Sequence, residues 1–402
     1  MLAAWCLAPP AGFCAGETFT VPQGLFDSEP RGLYRTGTEE ELWIDEARLE
    51  PTTATADDKR HLMVQVWYPA TFADDAPRAP YILNPQLYSL EHQQRFAQYT
   101  RVRSSSVRAA RVLRESAGFP VLIYNPGGGA QVFSGIVQAE FLASHGYVVV
   151  GIGHTGLNGI ERFPDGCTYR RDVESDPRLP DAEWRALSEE QRFRRSVKNY
   201  SERMMPLHVE DIRFVLRKLA EANAMRGNRF HGRLDLERVG SLGWSLGGAL
   251  SLQASRDVPD VKAAVNLDGW LFTDVADTGT SRPILQIRTG PVVEPGEGAD
   301  IREAEFAAES RFWKLYALST GDWYDVVVPR ARHGHFADKA LLQPHDPRLL
   351  HPRLVHEIVN RYTLEFFDRH LRGQQDTPLL LREITYPDTL SVSHSSVSSA
   401  RP

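Results

Sequence analysis

The stretch 239-VGSLGWSLGGALSLQ-253 places one serine among glycines, between two apolar runs. Its segment 243-GWSLG-247 matches G-x-S-x-G, a pattern in which a nucleophilic serine sits on a sharp turn between a strand and a helix. The run 238–244 predicts that strand, and the residues after Ser245 predict the helix. Because the turn is strained, the positions two residues either side of the serine must lack bulk. In this context the pattern indicates that Ser245 is a nucleophile.

Short apolar strands alternate with helices through most of the chain, which is typical of an α/β fold. Strands are predicted at 120–125, 147–153, 238–244, 261–267, 283–289 and 323–328. Helices are predicted at 131–145, 205–222, 303–317 and 353–371. We therefore expect a mostly parallel central sheet with helices on both faces. Earlier strands at 41–46 and 61–70 should pair antiparallel at one edge, and 71–117 is expected to be irregular.

The composition is that of an ordinary globular protein. The 402 residues are 42% hydrophobic and carry a formal net charge of -6, which gives no basic surface for nucleic acid. No run of eighteen apolar residues occurs that could cross a membrane as a helix. Of the three cysteines, Cys6 and Cys14 lie near the start, so Cys167 is alone if that segment is removed. We expect Cys167 to be a surface or half-buried thiol rather than a catalytic one.

Three segments stand apart from the regular α/β pattern. Residues 1–16 look like the rear of a signal peptide and predict export to the periplasm or medium, although no basic residues precede the apolar stretch; a cytoplasmic location is the alternative. The charged segment 168–204 predicts a helical insertion, which is either a solvated surface element or a cap over the site. The polar tail 390–402 is expected to be disordered.

A nucleophilic serine needs a general base, and the loop 331-ARHGHFAD-338 supplies two candidates. This loop follows the last predicted strand, where α/β sheets build their sites. The candidates are His333 and His335, and spacing alone does not choose between them. The two histidines could also be read as a metal pair, but no third ligand has a suitable spacing, so we predict no metal.

The base in turn needs an orienting acid, for which there are two locations. Asp268 ends the strand directly after the helix that follows Ser245. A carboxylate leaving an apolar strand is expected to be half-buried and to need a partner, although a turn-capping role would also fit. The rival location is the loop after the next strand. Its acidic residues are Glu294, Glu297 and Asp300.

The glycine-rich loop 125-NPGGGA-130 is the candidate oxyanion hole. Glycines there leave backbone N–H groups free and let an acyl oxygen approach. The expected donors are the amides of Gly128 and Leu246. A phosphate-binding loop is the alternative, but the segment has neither the lysine of a P-loop nor the spacing of a dinucleotide fingerprint. We therefore predict no cofactor.

Together these residues resemble the platelet-activating-factor acetylhydrolase family of α/β-hydrolases, of the plasma type or isoform II. The likeness spans about residues 30–375, as one α/β-hydrolase domain. The segments that carry it are 64-VQVWYPA-70, 120-PVLIYNPGGG-129, 243-GWSLGG-248, 267-LDGWLF-272 and 333-HGHFAD-338. The resemblance implies that Asp268 is the acid, His333 the base and Gly128 an oxyanion donor. The sequence differs from the family at two positions, since Pro126 and Trp244 stand where the family often or usually has histidine. Both differences could reshape the pocket, so the preferred acyl group stays open.

The resemblance implies a serine carboxylic-ester hydrolase for short-acyl esters, such as 1-alkyl-2-acetylglycerophosphocholine, in lipid catabolism. A cutinase-like polyesterase or general carboxylesterase is the close alternative, and a catalytically silent binding protein is the non-enzyme alternative. The expected partner is a small-molecule or lipid ester, without nucleic acid. Membrane association should be shallow at most, since no strongly amphipathic helix flanked by basic residues stands out. Residues 270–272 are expected to be pocket walls or core.

Overall fold

A computed structural model describes residues 32–51, 57–158, 162–169, 198–290, 310–381 and 391–395, with isolated positions at 183–195 and 386. The predicted leader, most of the charged insertion and the last residues of the tail lie outside this description. None of the helices in the described ranges is long and apolar enough to span a membrane.

One twelve-stranded sheet organises the chain. Its strands are β1 Arg35–Leu49, β2 Lys59–Thr71, β3 Arg78–Pro80, β4 Arg103–Arg108, β5 Arg111–Val112, β6 Phe119–Asn125, β7 Val148–Gly153, β8 Leu234–Trp244, β9 Val261–Leu267, β10 Ile284–Thr289, β11 Trp323–Val328 and β12 Ser391–Ser395. Their order is β12-β11-β10-β9-β8-β6-β7-β2-β1-β4-β3, and β5 pairs with β2 beside this order. Six neighbouring strands of the sheet, β7, β6, β8, β9, β10 and β11, are parallel to one another. Strand β2 runs antiparallel to both of its neighbours, β7 and β1. The predicted α/β-hydrolase fold is therefore confirmed.

Helices cover both faces of the sheet. The α-helices are α1 Leu90–Phe96, α2 Ile136–Ser144, α3 Met205–Ala224, α4 Leu246–Asp257, α5 Val275–Thr278 and α6 Pro352–Arg372, and residues 310–318 are also helical. Every residue of β6 is buried, as a parallel strand covered on both faces requires. Its Leu122 packs in a core with α2 and α6, whereas its neighbour Ile123 packs in a core with α3 and α4. The alternation of side chains along a strand thus divides one apolar run between two cores.

Two sequence-based expectations are wrong. The tail was expected to be disordered over 390–402, but Ser391–Ser395 form a strand that pairs antiparallel with β11. Without this strand, β11 would lie at the edge of the sheet with unpaired backbone groups. Such groups readily bind another strand, whatever side chains that strand carries. The segment 71–117 is not irregular, because it holds α1 and three short strands. Of the predicted insertion 168–204, Tyr200–Met204 form a π-helical turn that leads into α3.

Candidate active site

Ser245 occupies a strained turn between β8 and α4. Its backbone angles, φ 58° and ψ −125°, lie outside the regions that non-glycine residues usually adopt. A Cβ atom added at Gly243 would overlap the backbone of Gly247 and of Asn125, and one added at Gly247 would overlap the Asn125 carbonyl. The two glycines of the G-x-S-x-G pattern are therefore required because three backbone segments meet at the serine.

Gly247→Ala tests this close packing. The new methyl group must displace the end of β6, from which the glycine-rich loop begins, so we expect kcat/KM for ester hydrolysis to fall about 100-fold or more. Gly334→Ala is a matched control, since its Cβ would meet only the flexible Lys339 side chain, at 3.3 Å. Steady-state kinetics on both variants, with circular dichroism to verify folding, would contradict this explanation if Gly247→Ala behaved like the control.

The structure brings Ser245, His333 and Asp268 together at the carboxyl edge of the parallel strands. His333 Nε2 lies 2.9 Å from Ser245 Oγ, and His333 Nδ1 lies 2.7 Å from Asp268 Oδ2. Ser245 is 6% exposed, so the hydroxyl is nearly dry. The chain of hydrogen bonds has the geometry by which a base withdraws a proton from a serine while a carboxylate orients the base.

Asp268 is held in place from both sides. Its backbone has a φ of 56°, and its Oδ1 accepts hydrogen bonds from the Thr289 amide, at 2.9 Å, and the Thr289 hydroxyl, at 3.1 Å. Oδ2 is thereby directed to His333. The Asn266 side chain closes the turn by bonding both the N–H and the carbonyl of Gly269. The rival acids lie outside the described residues.

His333, rather than His335, faces the serine. The Trp244 indole N–H donates to the His333 carbonyl at 2.9 Å, and the two rings lie 5.0 Å apart, so the tryptophan fixes the histidine loop. His335 instead accepts from the Arg332 amide at 3.4 Å. Burial, with the nearby charges of His345 and Arg332, lowers the pKa of His335 to about 4. His335 is thus uncharged near neutral pH, and its side chain contacts the backbone of its own loop.

The glycine-rich loop leaves the Gly128 amide available near the serine. The Gly129 amide donates to the Leu157 carbonyl at 2.8 Å, and the Gly127 carbonyl accepts from the Asn158 side chain at 3.1 Å. By contrast, the amides of Gly128 and Leu246 have no acceptor in the part of the chain that the structure describes. A Cβ at Gly128 would lie 2.6 Å from the Leu246 side chain, so the two residues are in contact. This arrangement fits a pair of oxyanion donors.

Sequence reasoning missed the buried polar groups that support this loop. His154 and Asn158 follow β7, and the Asn158 side chain accepts from the His154 amide at 2.7 Å while its Nδ2 holds Gly127. The His154 ring contacts two side chains. Its Nε2 lies 3.1 Å from Asn125 Oδ1, and its Nδ1 lies 3.0 Å from Asp211 Oδ2. The sequence does contain a feature that could have indicated them. Three polar residues of the segment 154-HTGLN-158 directly follow an apolar strand, at the sheet edge where the other site residues lie.

Asn158→Ala measures how much this support contributes. Loss of its side chain removes one of the two hydrogen bonds to the Gly127 carbonyl and leaves only the one from the Ala130 amide, at 3.0 Å, so the neighbouring Gly128 amide should be less well placed. We expect kcat to fall about tenfold with little change in KM, because oxyanion stabilisation acts in the transition state. Asn228→Ala is the control, since Asn228 only closes a distant turn through the Phe230 amide. Unchanged kcat in a folded Asn158→Ala protein would argue against the support.

The segment after Asp268 divides between core and surface. Leu271 is buried in a small core with α4 and α5, whereas Trp270 is 36% exposed. Trp270 and Phe272 line a cavity of about 950 Å³, together with Met205 and Val209 from α3. Ser245 is not among its lining residues. All three predicted pocket residues therefore line this cavity, and Leu271 is also part of the core.

A serine on a strained strand-to-helix turn, with a histidine and an aspartate from later strand ends, defines this chain as an α/β-hydrolase-fold protein. Residues 54–292 match the sequence model of a family described as platelet-activating factor acetylhydrolase, isoform II, and the chain belongs to this family. The match includes Ser245 and Asp268, whereas His333 lies beyond it.

Two known proteins show how far the similarity extends. A probable 1-alkyl-2-acetylglycerophosphocholine esterase of Arthroderma benhamiae is 25% identical over 230 residues, which are 56% of this chain and 50% of that protein. The chain thus matches about half the length of this curated relative. The solved structure of a ferulic acid esterase from Streptomyces cinnamoneus superposes with a TM-score of 0.65 at 24% identity, over 92% of this chain and 98% of the other. At that identity it supports the fold alone.

Proposed function

We propose that this protein is a serine carboxylic-ester hydrolase that acts through an acyl-enzyme on short-acyl esters, with 1-alkyl-2-acetylglycerophosphocholine as the model substrate. The observation that carries the proposal is the hydrogen-bonded chain from Ser245 Oγ through His333 to Asp268. Family membership and the name of the fungal relative support the choice of substrate class.

In the first half of the reaction, His333 Nε2 takes the proton of Ser245 as Oγ attacks the ester carbonyl carbon. The tetrahedral intermediate carries its negative charge on the former carbonyl oxygen, which accepts hydrogen bonds from the amides of Gly128 and Leu246. One such donor is worth about 3 kcal/mol in the transition state. The carbon–oxygen bond of the leaving alcohol then breaks, and His333 returns the proton to the alcohol oxygen.

In the second half, His333 withdraws a proton from water, whose oxygen attacks the acyl carbon. Collapse of this second intermediate breaks the bond to Ser245 and releases the carboxylic acid, and the proton returns to Oγ. Asp268 holds His333 with Nδ1 protonated and stabilises the imidazolium in both halves. A cutinase-like or general carboxylesterase activity would use the same steps, so the substrate distinguishes these functions.

Initial rates on p-nitrophenyl esters from acetyl to palmitoyl, and on the acetylated ether phospholipid, test this proposal. We expect kcat/KM to be largest for the acetyl esters and to fall with chain length, with a burst of one nitrophenol per chain if deacylation is slow. A preference for long chains or polyester films would favour the alternative esterases. If a folded protein hydrolyses none of the esters, the silent binding protein becomes the better explanation.

We also propose export, on the basis of residues 1–16, which lie outside the described part of the chain. Expression of the full sequence in a bacterial host, followed by fractionation and intact-mass measurement, tests it. Exported protein should be shorter by the leader, whereas full-length protein confined to the cytoplasm would contradict export.

A further inference from the structure

Three side chains of the types that ligate metal ions lie close together, near the sheet edge that carries Ser245, Asp268 and His333. His61 lies on β2, and Asp165 and Cys167 lie in the loop after β7. The nitrogen, carboxylate and sulfur ligand atoms all lie within 4.8 Å of one another. Because Met63 of β2 pairs with Gly153, the last residue of β7, His61 stands where the chain leaves that strand. Across the described ranges, no other three His, Cys, Asp or Glu side chains come this close.

The His61 ring is oriented as a metal ligand is. Its Nδ1 lies 2.7 Å from the Lys59 carbonyl oxygen. A carbonyl only accepts, so this contact favours the tautomer that carries the proton on Nδ1 and leaves Nε2 as the ligand nitrogen. The Tyr169 hydroxyl donates to the same carbonyl at 3.1 Å and lies 2.9 Å from Nδ1. Contacts of this kind to the second nitrogen fix the tautomer of ligating histidines.

His61 Nε2 faces Asp165 Oδ2 at 2.7 Å. The two atoms are close enough to bind one metal ion, and without a metal a proton on Nε2 would join them in a hydrogen bond. The Cys167 amide donates to Asp165 Oδ1 at 3.0 Å and thereby brings the thiol to the same side. The Asp165 side chain is 34% exposed on a turn, so it can withdraw the short distance that metal–ligand bonds of about 2.0–2.2 Å require.

We propose that His61, Asp165 and Cys167 bind a zinc ion, with water as the fourth ligand, and that this ion fastens the loop after β7 to β2. A nitrogen, oxygen and sulfur donor set suits zinc, whereas calcium and magnesium prefer oxygen alone. On binding, the Cys167 thiol loses its proton to solvent and its sulfur bonds the metal. The site is independent of the proposed esterase function. His61 lies 104 positions before Asp165, so no spacing motif in the sequence reveals the three ligands together.

Cobalt substitution tests the site directly, because a cobalt–thiolate bond gives an intense charge-transfer absorption. The full-length protein is stripped of metal with a chelator and titrated with Co²⁺ and then with Zn²⁺. We expect one Co²⁺ per chain with a thiolate charge-transfer band, displaced by one equivalent of Zn²⁺. The thermal unfolding midpoint should rise with Zn²⁺ concentration, since the ion binds only the folded loop.

Cys167→Ser and His61→Gln are the test variants, and Cys6→Ser with Cys14→Ser is the matched control for the remaining thiols. Cys167→Ser should lose the band, and both test variants should bind zinc at least about tenfold more weakly. The control should keep the band. If His61→Gln fails to fold, Cys167→Ser alone decides, because that thiol is only partly buried. Absence of stoichiometric metal binding, or a band that the control variant removes, would overturn the proposed metal site.

Discussion

Asp268→Asn should reduce kcat for ester hydrolysis by about 10³- to 10⁴-fold while the protein stays folded. The amide can still accept from Thr289, so the turn keeps its shape, but it can present an N–H to His333 Nδ1 in place of an acceptor. The ring would then hold its proton on Nε2 and could not take the proton of Ser245. Measured kcat on an acetyl ester, with fluorescence to verify the fold, gives the result.

Two controls make this prediction specific. Asp274→Asn changes an exposed aspartate six positions further on, which pairs with Arg256, and should leave kcat within about twofold. A combined Glu294→Gln, Glu297→Gln, Asp300→Asn variant removes the rival acids in the later loop and should also retain activity. Full activity of Asp268→Asn together with loss of activity in the combined variant would place the acid in the later loop.

Asp211→Asn should have the largest effect on stability. Arg60 is completely buried and bonds Asp211 through two nitrogens, at 3.0 and 2.6 Å, and Glu50 at 2.7 Å. The variant removes one of the two carboxylates that compensate the buried Arg60 charge, and breaking a buried ion pair costs about 3–5 kcal/mol in the free energy of unfolding. Urea denaturation measures the loss. Asp277→Asn, which breaks two ion pairs on the surface, with Arg311 and Lys314, should cost less than Asp211→Asn, about 1 kcal/mol or below.

The same variant has a pH signature. Burial raises the pKa of Asp211, but the Arg60 charge and the hydrogen bonds from His154 and Arg60 overcome it and hold the pKa well below its usual range. A depressed pKa stabilises the folded state at pH values above the unfolded pKa of about 4, and this contribution is lost as the pH falls below it. The stability difference between the native protein and Asp211→Asn should therefore be greatest near neutral pH and shrink in acid. A constant difference down to pH 3 would contradict this origin.

The fold could be predicted from the sequence because each parallel strand contains a short, mainly apolar run that is followed by a turn or loop. The serine turn could be located for the same reason, since its glycines mark a place where backbones touch. Asp268 and His333 could be proposed because both lie at strand ends. The resemblance to the family then favours them over the acids of the later loop and over His335. The structure brings both to Ser245, and their catalytic roles remain our proposal.

What could not be predicted depends on contacts between distant segments. The buried charge of Arg60 is compensated by Glu50 and by Asp211, and Asp211 lies 151 positions away, a pairing that no local sequence pattern indicates. The strand Ser391–Ser395 forms because β11 has a free edge, although its own sequence is typical of a disordered tail. In both cases tertiary contacts override what the local residues favour.

Fluorophosphonate labelling with intact-mass detection is the most direct test of the central claim, that Ser245 is an activated nucleophile. The reagent phosphonylates a serine only where a base and an oxyanion hole activate it. We expect one adduct on the native protein and none on Ser245→Ala, with both proteins folded by circular dichroism. An adduct that persists on Ser245→Ala, or a folded native protein that takes up no reagent, would contradict the account.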